Sequence, residues 1–165
     1  MAIYLKFDTE IKGDSQTDGH ENWITLDSVQ LGVGRAISAS GASTDRETSN
    51  PSFSELTCNK SSDISSCELF AQSIHGKSLG KGTVNFVNTH EGKPQIYLQY
   101  IMHEPIVSSF SQSSGGDRPA ESFAINFTKL VMLYQQFDGA KKVADMTKGW
   151  DLRTGKEFNE GKIGG

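Results

Sequence analysis

From Ser122 to Phe127 the chain reads Ser-Phe-Ala-Ile-Asn-Phe, so Phe123, Ile125 and Phe127 recur at every second residue. A period of two places all three on one side of an extended strand and turns Ser122, Ala124 and Asn126 to the other. Upstream, Ile106-Val107-Ser108-Ser109-Phe110 is separated from this run by a polar stretch centred on Gly115-Gly116-Asp117-Arg118-Pro119. Glycine, proline and aspartate each favour turns, by backbone freedom, a preset φ and side-chain bonding to the main chain respectively. The whole reads as a β-hairpin with a long charged tip.

The same alternation recurs along the chain. Ile3, Leu5 and Phe7 against Tyr4, Lys6 and Asp8 make an opening strand, and Trp23 to Val29 makes another. Further strands are expected at 51–58, 82–87, 95–102, 106–111, 122–127 and 130–135, with a weak one near 149–152. Short connections such as Glu91-Gly92-Lys93-Pro94 favour antiparallel neighbours. No internal repeat and no long linker interrupts the pattern. The expectation is a single domain over 1–165, mainly β and antiparallel, with a long polar loop at about 34–50 and a mobile Gly/Lys-rich tail at about 153–165.

One helix is expected. Ser65 stands three residues before Glu68, as in a capping box, and Cys67, Phe70, Ala71 and Ile74 fall on one apolar stripe. The stripe predicts that Phe70 anchors the helix on the β domain and that Cys67 is buried and inert. Gly76 is placed to close the helix in a left-handed conformation.

With 165 residues the chain can bury roughly two-thirds of its unfolded surface and needs no staple. Its net charge of -4, pI of about 5.5 and lack of a Lys/Arg-rich run argue against nucleic acid or an anionic membrane as partner. The Met1 to Asp8 segment has no basic leader or apolar core, and no stretch reaches the ~20 apolar residues of a membrane helix. If the protein leaves the cell, it is expected to do so without a cleaved signal peptide. Cys58 and Cys67 are expected as free thiols of a reducing compartment.

No catalytic constellation emerges. His20, His75, His90 and His103 lack metal-ligand spacing, so no metal site is expected. The pairs Glu47/Glu55 and Glu104/Glu121 have no sequence-defined separation, Gly32 and Gly34 precede no helix, and Ser108-Ser109 lacks a strand-to-helix elbow. Neither catalysis nor a cofactor is expected. The residues alone point to a β domain that binds or assembles through strand edges and loops.

Five segments carry a resemblance to the haemolysin-coregulated protein (Hcp) family. They are Ile11-Lys12-Gly13-Asp14-Ser15 with Asp18, His20, Trp23 and Ile24; Lys60, Asp63, Ser65, Ser66 and Leu69; Val107-Ser108-Ser109; the Gly115 to Pro119 loop with Glu121; and Gly149-Trp150-Asp151. Asp14 replaces the usual Glu, and Cys67 stands where Pro is common. The resemblance implies a flattened antiparallel barrel of two sheets with one short helix alongside. It further implies an inner-tube subunit of a type VI secretion system: a homohexameric ring that stacks, resides in the bacterial cytoplasm before firing and is then secreted. Sheath, baseplate and spike proteins and small effectors in the lumen are the implied partners. By the same analogy Arg35, Asp45, Arg46 and Glu47 in the long loop, and Asp117 and Arg118 at the hairpin tip, are candidate stacking or subunit contacts. The alternative is a monomeric lectin-like sandwich that uses Trp23 and Trp150 to stack on sugar.

Overall fold

The computed structural model describes residues 1–38 and 48–163. The strands are β1 (Ala2–Phe7), β2 (Ile24–Leu26), β3 (Ser28–Gln30), β4 (Val33–Gly34), β5 (Ser52–Phe53), β6 (Leu56–Ser61), β7 (Lys81–His90), β8 (Lys93–His103), β9 (Ile106–Ser113), β10 (Ala120–Asn126), β11 (Lys129–Asp138), β12 (Lys141–Asp151) and β13 (Lys156–Glu157), with helix α1 (Ser66–His75) between β6 and β7. The fold is mainly β, as expected. All pairings between strands are antiparallel, in a seven-stranded sheet ordered β13-β12-β11-β8-β7-β1-β2, a four-stranded sheet ordered β3-β6-β10-β9, and the small pair β4-β5.

Alternation explains how the two larger sheets meet. Leu5, Val84, Met102 and Leu130 from the larger sheet and Leu56, Cys58, Phe123 and Ile125 from the smaller one form one continuous core. Removing this much apolar surface from water is the main driving force for the sandwich. The expected single strand over 23–29 is two: Asp27 interrupts it, β2 joins the larger sheet and β3 the smaller. The turn at 27 thereby links the sheets along one side.

The opposite face of the larger sheet has its own cover. Ile101, Val131 and Leu133 form a second apolar cluster with Phe158 and Ile163 of the C-terminal segment. Residues of the tail expected to be mobile thus lie across the sheet. Gly149 permits this: a Cβ there would stand 2.1 Å from the Phe158 carbonyl oxygen and 2.8 Å from that of Leu130. Phe158 also receives the Lys129 ammonium 4.4 Å from its ring centroid, and Glu160 reaches His103 at 2.6 Å and Lys81 at 3.5 Å.

The helix differs from expectation in three ways. Ser65 makes no capping bond into the helix; its hydroxyl and backbone NH both go to Asp63 Oδ1. Gly76 is extended, with φ -66°, rather than left-handed. Most consequentially, Leu69 is buried in the core while Cys67, Phe70 and Ile74 are exposed, Phe70 at 54% and Ile74 at 65%. The apolar stripe exists but faces away from its own domain. Cys67 is therefore an accessible free thiol, and Cys58 a buried one whose pKa is pushed up to about 12 by burial.

Candidate assembly surfaces

The placement of α1 depends on a buried polar pin. Lys60 and Glu121 face inward from the paired strands β6 and β10, where their Cα atoms are register partners. Lys60 Nζ donates to Glu121 Oε2 at 2.7 Å and lies 2.8 Å from Asp63 Oδ1. Ser62 Oγ donates to Glu121 Oε1 at 2.7 Å, and Gln112 Nε2 donates to the same oxygen at 2.9 Å. Burial would raise the Glu121 pKa, but the hydrogen bonds of Lys60, Ser66 and Ser62, with the lysine charge, hold it below the ordinary value. Asp63 carries this network to the helix start, where its Oδ1 also binds Ser65. The pin fixes which side of α1 meets the core.

A second polar chain fixes the 8–23 loop on the larger sheet. Gln99 Nε2 donates to Asn85 Oδ1 at 2.6 Å, which leaves Asn85 Nδ2 to donate to His20 Nε2 at 3.0 Å. That nitrogen must therefore be unprotonated. The His20 imidazole stacks on Tyr4 at 4.7 Å and meets Trp23 edge-on at 4.8 Å. Desolvation lowers its pKa, against the opposing influences of Asp18 and Glu21. Gly13 lets the loop approach, since a Cβ there would lie 2.2 Å from the Trp23 carbonyl oxygen.

With these internal fixtures in place, the surface offers four features. The outward stripe of α1, with Ile64, is the first. The second follows the register of the larger sheet: Ile3 pairs Phe86, Phe86 pairs Leu98, Leu98 pairs Tyr134 and Tyr134 pairs Met146. This apolar row starts beside the core and ends exposed on β11 and β12, where Met132, Tyr134 and Met146 line an open groove with Gln136, Ala144, Asp145 and Lys148. The third is an arm: β4 pairs β5 through Val33 with Phe53 and Gly34 with Ser52, and a further bridge joins Ile37 to Thr48. The fourth is the β9–β10 tip.

The anticipated contact residues divide between the last two. Arg35 is exposed on the arm. Asp45, Arg46 and Glu47 lie outside the described residues. Arg118 sits at the tip 3.7 Å from Asp14 of its own chain, and the Asp117 carbonyl accepts from Ser114 Oγ at 3.0 Å. Among the described residues Arg35 shares no hydrogen bond or ion pair with Asp117 or Arg118, so arm and tip are separate features. Trp23 and Trp150, the suggested sugar platforms, are both half-buried, Trp23 just before β2 and Trp150 in β12 near the other end of the larger sheet. The helix stripe and the β11–β12 patch were missed as surfaces. Their signal was present: Leu130 to Tyr134 is apolar at every residue, the pattern of a strand with both faces covered.

Among the described residues no cluster of His, Cys, Asp and Glu is grouped to hold a metal, and no helix is long and apolar enough to cross a membrane.

The family model "Type VI secretion system effector, Hcp" matches residues 4–134. Among solved structures, a type six secretion system protein superposes with a TM-score of 0.87 at 23% identity, covering 95% of this chain and 99% of the other. Hcp1 from Salmonella typhimurium gives 0.76 at 24% identity over 95% and 98%. A type VI secretion system effector from Yersinia pestis gives 0.72 at 19% identity over 90% and 98%. No curated protein matches. The chain belongs to the Hcp family, the structural tube proteins of type VI secretion.

Proposed function

We propose that this protein is the ring-forming subunit of a type VI inner tube, assembling head to tail into hexamers that stack and enclose a lumen able to carry small effectors. It acts as a structural part and carrier rather than as a catalyst. The observation that carries the reading is the family match from Tyr4 to Tyr134, which spans the core of both large sheets, the helix and the hairpin tip. A contact between two different faces of one subunit closes into a ring when its rotation permits, and rings with complementary ends stack. Two apolar surfaces and two projecting polar features, the arm and the tip, suit that division of labour. On this reading Arg35, Asp45, Arg46 and Glu47 contact the next ring, with Asp117 and Arg118 at a ring or subunit contact. Sheath, baseplate and spike proteins are the outer partners, and the route runs from the bacterial cytoplasm to the outside.

Light scattering over a wide concentration range, with negative-stain images of the same fractions, tests this directly. A six-subunit mass and an open-centred ring are expected. A monomer at every concentration overturns autonomous ring formation.

A further inference from the structure

We propose that the face of the larger sheet beneath residues 156–163 is a peptide-binding surface that the chain's own C-terminal segment holds closed, and that its external ligand is an acidic linear peptide bearing an aromatic residue. This goes beyond the ring reading and does not depend on it.

The floor of the surface is set by register. Lys81, His103 and Lys129 are cross-strand partners on β7, β8 and β11, and such partners project on the same side of a sheet. Two residues further along β8 and β11, Ile101 and Val131 project on that side too, and with Leu133 they form an apolar strip beside the basic row. Basic side chains clustered next to an apolar strip favour a ligand that presents carboxylates and apolar groups together.

The segment that covers this floor shows how a peptide seats on it. Phe158 meets His103 edge-on with ring centroids 5.4 Å apart and lies 4.4 Å from the Lys129 ammonium. Two residues on, Glu160 reaches His103 at 2.6 Å and Lys81 at 3.5 Å. Gly161, with φ +86°, carries the backbone across the apolar strip, where a Cβ would lie 3.5 Å from Ile101 Cδ1, and Ile163 packs at its far end. The hold is mostly one of side chains. β13 pairs β12 at two positions, the Phe158 NH donates to the Gly149 carbonyl, and beyond that Gln135 Nε2 donates to the Ile163 carbonyl at 3.2 Å. A segment laid across a sheet face in this way can leave while the strands beneath it stay paired.

Charge indicates what replaces it. The segment carries Glu157 and Glu160 against Lys156 and Lys162, and so has no net charge. Glu160 serves the basic row, whereas Glu157 turns to Lys148 at 3.0 Å. Asp151, 3.7 Å from Lys129, also accepts from the backbone NH groups of Arg153 and Thr154. The row of three bases thus meets a single carboxylate of its own cover, and a peptide with an aromatic residue and further acids complements it better.

Fluorescence anisotropy with two labelled peptides tests this: residues 156–163 as they stand, and the same peptide with Lys156→Glu and Lys162→Glu. In the full chain carrying Phe158→Ala and Glu160→Gln, which frees the floor, the acidic peptide is expected to bind more tightly than the unaltered one, with an affinity that falls as salt rises. Wild type should bind it at least about tenfold more weakly, because its tethered segment competes at an effective concentration on the order of millimolar. Gly149→Ala displaces the segment without altering a floor or segment side chain, and should reproduce the gain. Adding Lys81→Met and His103→Gln to the freed chain should abolish the preference for the acidic peptide, with unchanged far-ultraviolet circular dichroism. Equal binding by wild type and both freed chains, or no binding by either freed chain, overturns the proposal.

Discussion

The ammonium of Lys60 lies 2.7 Å from Glu121 Oε2, with both side chains fully shielded from solvent. Each strand position would otherwise hold an unpaired buried charge. Lys60→Met should therefore cost about 3–5 kcal/mol in equilibrium unfolding, because it strands the carboxylate. The double variant Lys60→Met with Glu121→Leu should recover most of that loss, since Asp63 keeps its bonds to Ser65. Urea titrations of the single and double variants decide the point. Because the folded Glu121 pKa is depressed, its contribution is fully present above 4.5 and is lost as pH falls below that value.

His20 predicts a separate and earlier acid response. Its folded pKa is lowered by burial, so the unfolded chain binds the proton more readily and stability declines as pH drops below 6.5. Protonation also removes the acceptor that Asn85 uses. Between pH 6.5 and 5, wild type should lose stability with a slope that His20→Gln lacks, whatever the absolute stability of the variant. Parallel slopes in urea midpoints across that range would show that His20 does not titrate on unfolding.

The helix separates internal packing from surface chemistry. Leu69 is fully buried and Phe70 half exposed. In the monomer, Leu69→Ala should cost about 2–5 kcal/mol through the cavity it leaves. Phe70→Ala should cost under about 1 kcal/mol, because about half of its surface is already in water and its ring meets Phe110 edge-on. This reverses the ranking that the apolar stripe suggested. Thermal or urea unfolding of both variants at concentrations where the protein is monomeric provides the comparison.

What was legible from sequence divides along physical lines. Strand alternation at Ile3 to Phe7 and Phe123 to Phe127 is a local property, and it placed these strands and their inward residues correctly. The stripe on α1 was also legible as apolar, but a stripe records only that something covers it. Whether its own domain or another copy does so depends on Lys60, Asp63 and Glu121, which come together only after β6 and β10 pair. β12 escaped for a related reason. Lys-Lys-Val-Ala-Asp-Met-Thr-Lys has little β character alone, yet ten register pairs to β11 hold it in place. The arm formed by residues 33–37 and 48–53 likewise reads as a polar loop because its pairing joins residues far apart in sequence. Family resemblance supplied the assembly that such local patterns lack.

The C-terminal segment gives the last prediction. It crosses β12 at Gly149, whose backbone NH donates to Asn159 Oδ1 at 3.0 Å, while Phe158 donates its backbone NH to the Gly149 carbonyl at 3.0 Å. A methyl group at Gly149 would press on two backbone carbonyls, Phe158 and Leu130, neither of which is the end of a flexible side chain. The Leu130 carbonyl belongs to a sheet strand and is held by its neighbours; the tail is tied down by fewer contacts. Gly149→Ala should therefore displace residues 156–163 and uncover Ile101, Val131 and Leu133, at a cost of about 1–3 kcal/mol. Amide exchange should rise across the tail and the second apolar cluster while β1, β6 and β10 keep their protection. Phe158→Ala should give the same exchange pattern by removing the anchor rather than the space. If exchange instead rises uniformly in both variants, the tail belongs to the main cooperative unit and not to a separately detachable cover.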